Sequence, residues 1–99
     1  MFIILWEYQV KPDRRPDFES IYSSAGVWTE LFKKGTGYIG TELFHDETLP
    51  YRYLTIDRWV SKEDYEAFLS HWEKEYKMLD KQCEGLTESE SLIGRWDLS

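Results

Sequence analysis

One cysteine, three prolines and no apolar run long enough to cross a bilayer set the first bounds on this chain. The single thiol, Cys83, leaves no intrachain disulfide to form, which fits a reducing compartment and makes the cytoplasm the expected location. Met1 to Trp6 is apolar but too short for a signal-peptide core, has no basic flank and runs into Glu7, so it reads as a strand. Cations are scarce too. Twelve Lys and Arg against 19 Asp and Glu give a net charge of −7, and no segment gathers the basic residues on one face. Neither nucleic acid nor a membrane surface is therefore an expected partner. No Ser-His-Asp order, phosphate loop or dinucleotide fingerprint occurs.

Aromatic residues are what the chain has in excess. Five Trp, seven Tyr and five Phe in 99 residues are more than one small core hides easily, so some should line an interface or a pocket. A 41% hydrophobic and 31% charged composition excludes disorder and indicates one globular domain over residues 1–99.

Periodicity divides the chain. Phe2 to Val10 reads as a first strand, with Glu7 and Gln9 on one parity. Phe18, Ile21, Tyr22, Ala25, Trp28, Leu31 and Phe32 recur at helical spacing, giving one amphipathic helix with Gly26 as a kink point, stopped by Gly35-Thr36-Gly37. Tyr38 to His45 and Tyr51 to Trp59 form an antiparallel hairpin around a polar turn. A second helix carries Tyr65, Phe68, Leu69, Trp72, Tyr76, Leu79, Cys83 and Leu86 on one stripe, and a last strand runs from about Ser91 to Leu98. The order β-α-β-β-α-β predicts an α+β, ferredoxin-like fold with two helices on one face of a four-stranded antiparallel sheet. Neither parity of the third strand is solvent-like, so the other face is expected to meet an identical sheet in a two-fold homodimer.

The corner from Arg58 to Trp72 holds the chemistry-bearing residues. Ser61 reads as an N-cap with Asp64 three residues on, and Val60 and Tyr65 are spaced as a hydrophobic staple. Such a stiff corner fixes Trp59 and Tyr65 near each other. Trp59 either stacks on a flat ligand or seals the end of the sheet. Tyr65 either donates a hydrogen bond to a developing oxyanion or serves as the staple partner. Asp57, on the parity of Trp59, either acts as a base on a phenol or pairs with Arg95 or Arg58 at the surface. Tyr22, Trp28, Phe32, Phe68 and Trp72 read as packing residues, some of which also wall any cavity beneath the helices. His71, on the flank of the second helix stripe, is a further candidate for substrate contact, but with Glu75 it offers too few ligands for a metal site. His45-Asp46-Glu47 belongs to the hairpin turn, and Cys83, on an apolar stripe, reads as inert core.

Phe18, Trp28 to Phe32, Gly37 to Leu43, Tyr53, Ile56 to Trp59, Ser61, Tyr65, Phe68, Leu86-Thr87 and Gly94-Arg95 together resemble the antibiotic biosynthesis monooxygenase family of dimeric α/β-barrel proteins. The likeness runs over nearly the whole chain. Its polyketide-oxidising members carry an Asn, Trp, Tyr and Arg set in a pocket between sheet and helices. Trp59 and Tyr65 match the Trp and Tyr, Thr55 stands in place of the Asn, and Arg95 is the candidate for the Arg. Haem-degrading members use an Asn on the first strand, a Trp at the end of the third and a His on the second helix. Only the Trp is matched, by Trp59, since the first strand has no Asn and His71 lies two residues beyond the expected position. The resemblance implies a homodimer that binds a small phenolic or quinol molecule and oxidises it with O2, without metal, flavin or haem. The alternative is a non-catalytic binding or stress-related module of the same fold.

Overall fold

A computed structural model describes residues 1–98. The strands are β1 (Phe2–Val10), β2 (Tyr38–His45), β3 (Arg52–Trp59) and β4 (Thr87–Asp97); the helices are α1 (Arg15–Tyr22), α2 (Val27–Phe32), α3 (Lys62–His71) and α4 (Glu73–Cys83). All strand pairs are antiparallel, in the order β2-β3-β1-β4, so the split βαβ topology expected from the sequence is the one found. Alternation decides which side chains meet the helices. On β3 these are Tyr53, Thr55, Asp57 and Trp59, all buried; on β1 they include Phe2, Ile4, Tyr8 and Val10. The opposite parity of β3, Arg52 to Arg58, is partly exposed.

Register places the site. Across the helix-facing side one row runs Thr41, Asp57, Ile4, Arg95, and a second brings Tyr53, Tyr8 and Glu90 into line. Asp46 holds the β2–β3 turn by accepting the Thr48 and Leu49 backbone N–H groups, each at 2.7 Å. Those bonds hold its carboxyl below the usual range, the one from Leu49 most.

Each expected helix is in fact a pair. Between α1 and α2 the backbone of Ser23 is extended, and the Thr29 hydroxyl donates to the Ser23 carbonyl at 3.1 Å, tying the second helix to the end of the first. Gly26 sits so close that a Cβ there would overlap the Ile21 carbonyl oxygen, so the glycine is a break and not a kink. Ala25 is exposed rather than part of a stripe. At Trp72 the backbone leaves the helical region (φ −109, ψ 24), and its half-buried ring packs edge-on to His71 beneath Lys34. Hydrophobic periodicity survives both breaks, which is why spacing alone joins the pieces. The last strand starts at Thr87, not Ser91, because Thr87, Ser89 and Glu90 pair with Val10, Gln9 and Tyr8. Tyr51 lies in the turn before β3, and Leu98 lies beyond β4.

Candidate functional site

The strand-to-helix corner is built as the residues suggest, with one correction. Ser61 Oγ accepts the Asp64 backbone N–H at 3.1 Å and caps α3. Gly37, at φ +85, lies where any Cβ would overlap the Asp64 carboxylate, so the left-handed turn before β2 and the cap interlock. Val60, however, is 58% exposed and staples nothing. Tyr65 is instead enclosed by Phe2 (ring centroids 5.9 Å apart), Trp59 (5.6 Å) and the Arg95 guanidinium 5.5 Å above its ring. Long-range packing, not the local staple, seats this phenol.

Between the sheet and the helices lies a cavity of about 110 Å³. Trp6, Tyr8, Thr41, Thr55 and Asp57 form its sheet side; Tyr22, Trp28, Phe32, Tyr65 and Tyr76 form its helix side. Asp80 of α4 and Glu90 of β4, both exposed residues, complete the lining and mark the mouth. An apolar cavity of about 150 Å³ takes one benzene ring. This one is on the scale of a single ring and excludes a fused polycycle unless side chains move.

Polar groups on the sheet side are organised around Asp57, which is 7% exposed. Tyr38 donates to Thr41 Oγ1 (2.6 Å), and Thr41 donates to Asp57 Oδ1 (2.7 Å). No other hydrogen bond reaches this carboxylate among the described residues, so its second oxygen is left to the cavity. Burial pushes the Asp57 carboxyl up to about 6 against the opposing effect of the Thr41 hydroxyl. Tyr8 and Thr55 bond each other at 3.2 Å. Burial also raises the phenols of Tyr8, Tyr22, Tyr65 and Tyr76, which therefore stay neutral and able to donate. For Tyr65, nearby Arg95 opposes the rise and Asp57 adds to it. Its hydroxyl, on a residue 5% exposed, has no hydrogen-bond partner among the described residues. Asp57 and Tyr65 thus line one small space, an arrangement able to take a proton from a phenol and hold the oxygen it leaves.

The candidates divide. Asp57, Tyr65, Tyr22 and Trp28 line the cavity, whereas Trp59, Phe68, His71 and Trp72 do not. Trp59 is 0% exposed, its ring among Phe32, Tyr38, Tyr65 and Phe68, and its indole Nε1 has no partner among the described residues. Phe68, His71 and Trp72 border a separate surface groove with Lys34 and Asp64. Asp57 makes no surface ion pair: Arg58 points to the other face, where it pairs with Glu42, and Ile4 stands between Asp57 and Arg95. Cys83 is buried, and its thiol is pushed up by that burial, as inert core requires. Spacing alone missed Trp6, Tyr8, Thr41, Tyr76, Asp80 and Glu90. The parity of β1, with Phe2, Ile4, Trp6, Tyr8 and Val10 on one side, carries the signal for two of them.

An antiparallel β2-β3-β1-β4 sheet with helices packed over an aromatic cavity defines the class as a ferredoxin-like α+β protein. The chain belongs to the antibiotic biosynthesis monooxygenase family, whose sequence profile matches residues 1–74. No functionally curated protein matches it. Among solved structures it is similar to a protein of Deinococcus radiodurans assigned to the antibiotic biosynthesis monooxygenases (10% identity, TM-score 0.78, covering 100% of this chain and 93% of the other). A point mutant of SnoaB, a cofactor-independent oxygenase from Streptomyces nogalater, is similar at 14% identity and TM-score 0.78, covering 98% and 91%. A Bordetella bronchiseptica protein assigned to the same monooxygenases reaches 20% identity and TM-score 0.75, covering 99% and 96%. At these identities the likeness is one of fold. Tyr76, Asp80 and Glu90 lie beyond the residues matched by the profile.

Proposed function

We propose that this protein binds a single-ring phenol or quinol in the cavity and oxidises it with O2, drawing all electrons from the substrate. The observation that supports this reading is that, among the described residues, Asp57, with one carboxylate oxygen free of hydrogen bonds, and Tyr65, with a hydroxyl lacking a partner, line the same space on the scale of one ring. Asp57 takes the phenolic proton. An ordinary phenol, near 10, lies about 4 pH units above Asp57, an uphill transfer of about 5 kcal/mol; a carboxyl at the usual 3.8 would face about 8 kcal/mol. Burial of Asp57 therefore removes about 3 kcal/mol of the difference. Tyr65 holds the phenolate oxygen by donating to it, and Trp59 positions Tyr65 from behind. The electron-rich ring then passes one electron to O2, and the radical pair joins at a ring carbon ortho or para to the oxygen. Loss of water from the resulting hydroperoxide leaves a quinone. For phenol itself, one phenol and one O2 give one benzoquinone and one water, so no outside reductant is required.

The functional unit in this reading is a homodimer. Leu54 and Ile56 on β3, Ile3 and Leu5 on β1 and exposed Trp96 on β4 form an apolar outer face, with Glu7, Arg52, Glu42 and Arg58 charged around it. A second copy covers such a face without leaving backbone groups unpaired. No helix among the described residues is long and apolar enough to cross a membrane.

Oxygen uptake with a panel of single-ring quinols, above the rate of uncatalysed autoxidation, tests the activity. Wild type is expected to turn over at least one, with Asp57→Asn and Tyr65→Phe each slower by about 10²-fold or more. Binding without oxygen uptake by wild type would make the protein a carrier of such rings rather than an oxygenase.

A further inference from the structure

We infer that the natural occupant is a single-ring phenol bearing an ammonium arm, with the ring inside against Asp57 and Tyr65 and the arm at the mouth between Asp80 and Glu90. This rests on the phenol reading above and adds the charge and length of the ligand to it.

Size makes the first step. With about 110 Å³ between sheet and helices, a ring fills the space and a side arm longer than a methyl group extends toward the open side. Charge makes the second. Among the described residues, every ionised side chain lining the cavity is an acid (Asp57, Asp80, Glu90), and no Lys, Arg or His lines it. The groove outside shares Tyr22, Asp80 and Glu90 and adds Glu84 and Glu88, again with no basic residue. Neither Asp80 nor Glu90 is in an ion pair among the described residues; nearby Lys77 is held by Glu73 at 2.6 Å. Burial raises the Glu90 carboxyl, and the charge of Asp80 raises it further. The like charges of Asp80 and Glu90 repel each other, and an ammonium held at this rim relieves the repulsion.

The interior points to a ligand independently of this acidic rim. Tyr65 and Asp57, each more than nine-tenths buried, both line this space, and neither the Tyr65 hydroxyl nor the second Asp57 oxygen has a hydrogen-bond partner among the described residues. A phenol group answers both, donating to Asp57 and accepting from Tyr65. Phenol at one end and ammonium at the other match the two ends of the cavity. A phenol with a carboxylate arm meets repulsion along its whole approach.

Three phenols of nearly equal size separate the possibilities: tyramine, 4-ethylphenol and 4-hydroxyphenylacetate, titrated against the full chain and followed by fluorescence of Trp6 and Trp28 in the cavity wall. Tyramine is expected to bind about tenfold tighter than 4-ethylphenol, and 4-hydroxyphenylacetate about tenfold weaker, the differences shrinking with added salt. In the Asp80→Asn/Glu90→Gln double variant, both at exposed positions, the preference for tyramine collapses to about twofold or less, whereas Glu63→Gln on the first turn of α3 leaves it intact. Equal binding of tyramine and 4-ethylphenol by wild type overturns the inference and spares the phenol site. A preference for tyramine that survives the double variant overturns the assignment to Asp80 and Glu90. Failure of all three to bind overturns the phenol site as well.

Discussion

Replacing Asp57 by asparagine should stabilise the protein at neutral pH while slowing its chemistry by about 10²-fold or more. The side chain is 7% exposed, and burial pushes its carboxyl up to about 6 from the ordinary 3.8. A carboxyl that holds its proton more tightly folded than unfolded penalises folding once it must ionise. Below about pH 4 both states are protonated and the penalty is absent; it grows as pH rises toward 6 and is complete above that. The rise corresponds to about 3 kcal/mol, an upper value because one carboxylate oxygen faces the cavity. Asparagine keeps an acceptor for the Thr41 hydroxyl and removes the charge. Denaturant unfolding of both proteins between pH 3.5 and pH 7.5 is the assay. The variant is expected to be more stable by about 2 kcal/mol at pH 7.5, raising Tm by about 8 to 16 °C, with no gain at pH 3.5. A gain that ignores pH, or a loss at neutral pH, would refute the argument that burial of this charge shapes the site.

Further outcomes follow from the same geometry. Turnover needs Asp57 ionised, so the rate falls as pH drops through about 6, and a pH–rate profile should lose that limb in Asp57→Asn. Gly35→Ala places a Cβ 2.8 Å from the Phe68 ring and 3.0 Å from Trp59, and thermal unfolding should register about 1 to 3 kcal/mol of overpacking. Ile56→Lys puts a charge in the middle of the outer sheet face, and light scattering should report a monomer where wild type gives twice that mass. A monomeric wild type would remove the dimer from the account.

Much of the fold is legible in the sequence because strand periodicity is local: β1 and β2 fall on Phe2–Val10 and Tyr38–His45 as expected. The helix breaks at Gly26 and Trp72 are not, since the hydrophobic stripe continues across both. Parity of β3 puts Asp57 on the helix-facing side, but its burial depends on Thr41 arriving opposite it from β2, a long-range pairing that one-dimensional spacing does not contain. Trp59 shows the reverse limit. Its place at the end of the strand is readable, yet the rings of Phe32, Tyr38, Tyr65 and Phe68 close around it and keep it from the cavity. Asp80 and Glu90 line one cavity because Glu90 lies opposite Tyr8 in the β1–β4 register, so nothing in their sequence spacing announces a shared rim.

A crystal structure of the protein soaked with 4-ethylphenol tests the central claim most directly. The ring should lie between the Trp6 and Tyr8 side and the Tyr65 and Tyr76 side, with its hydroxyl oxygen about 2.6 to 3.2 Å from the Asp57 carboxylate. Density for the ligand only at the surface, or a ring in the cavity with its hydroxyl turned toward Asp80 and Glu90, would contradict the account.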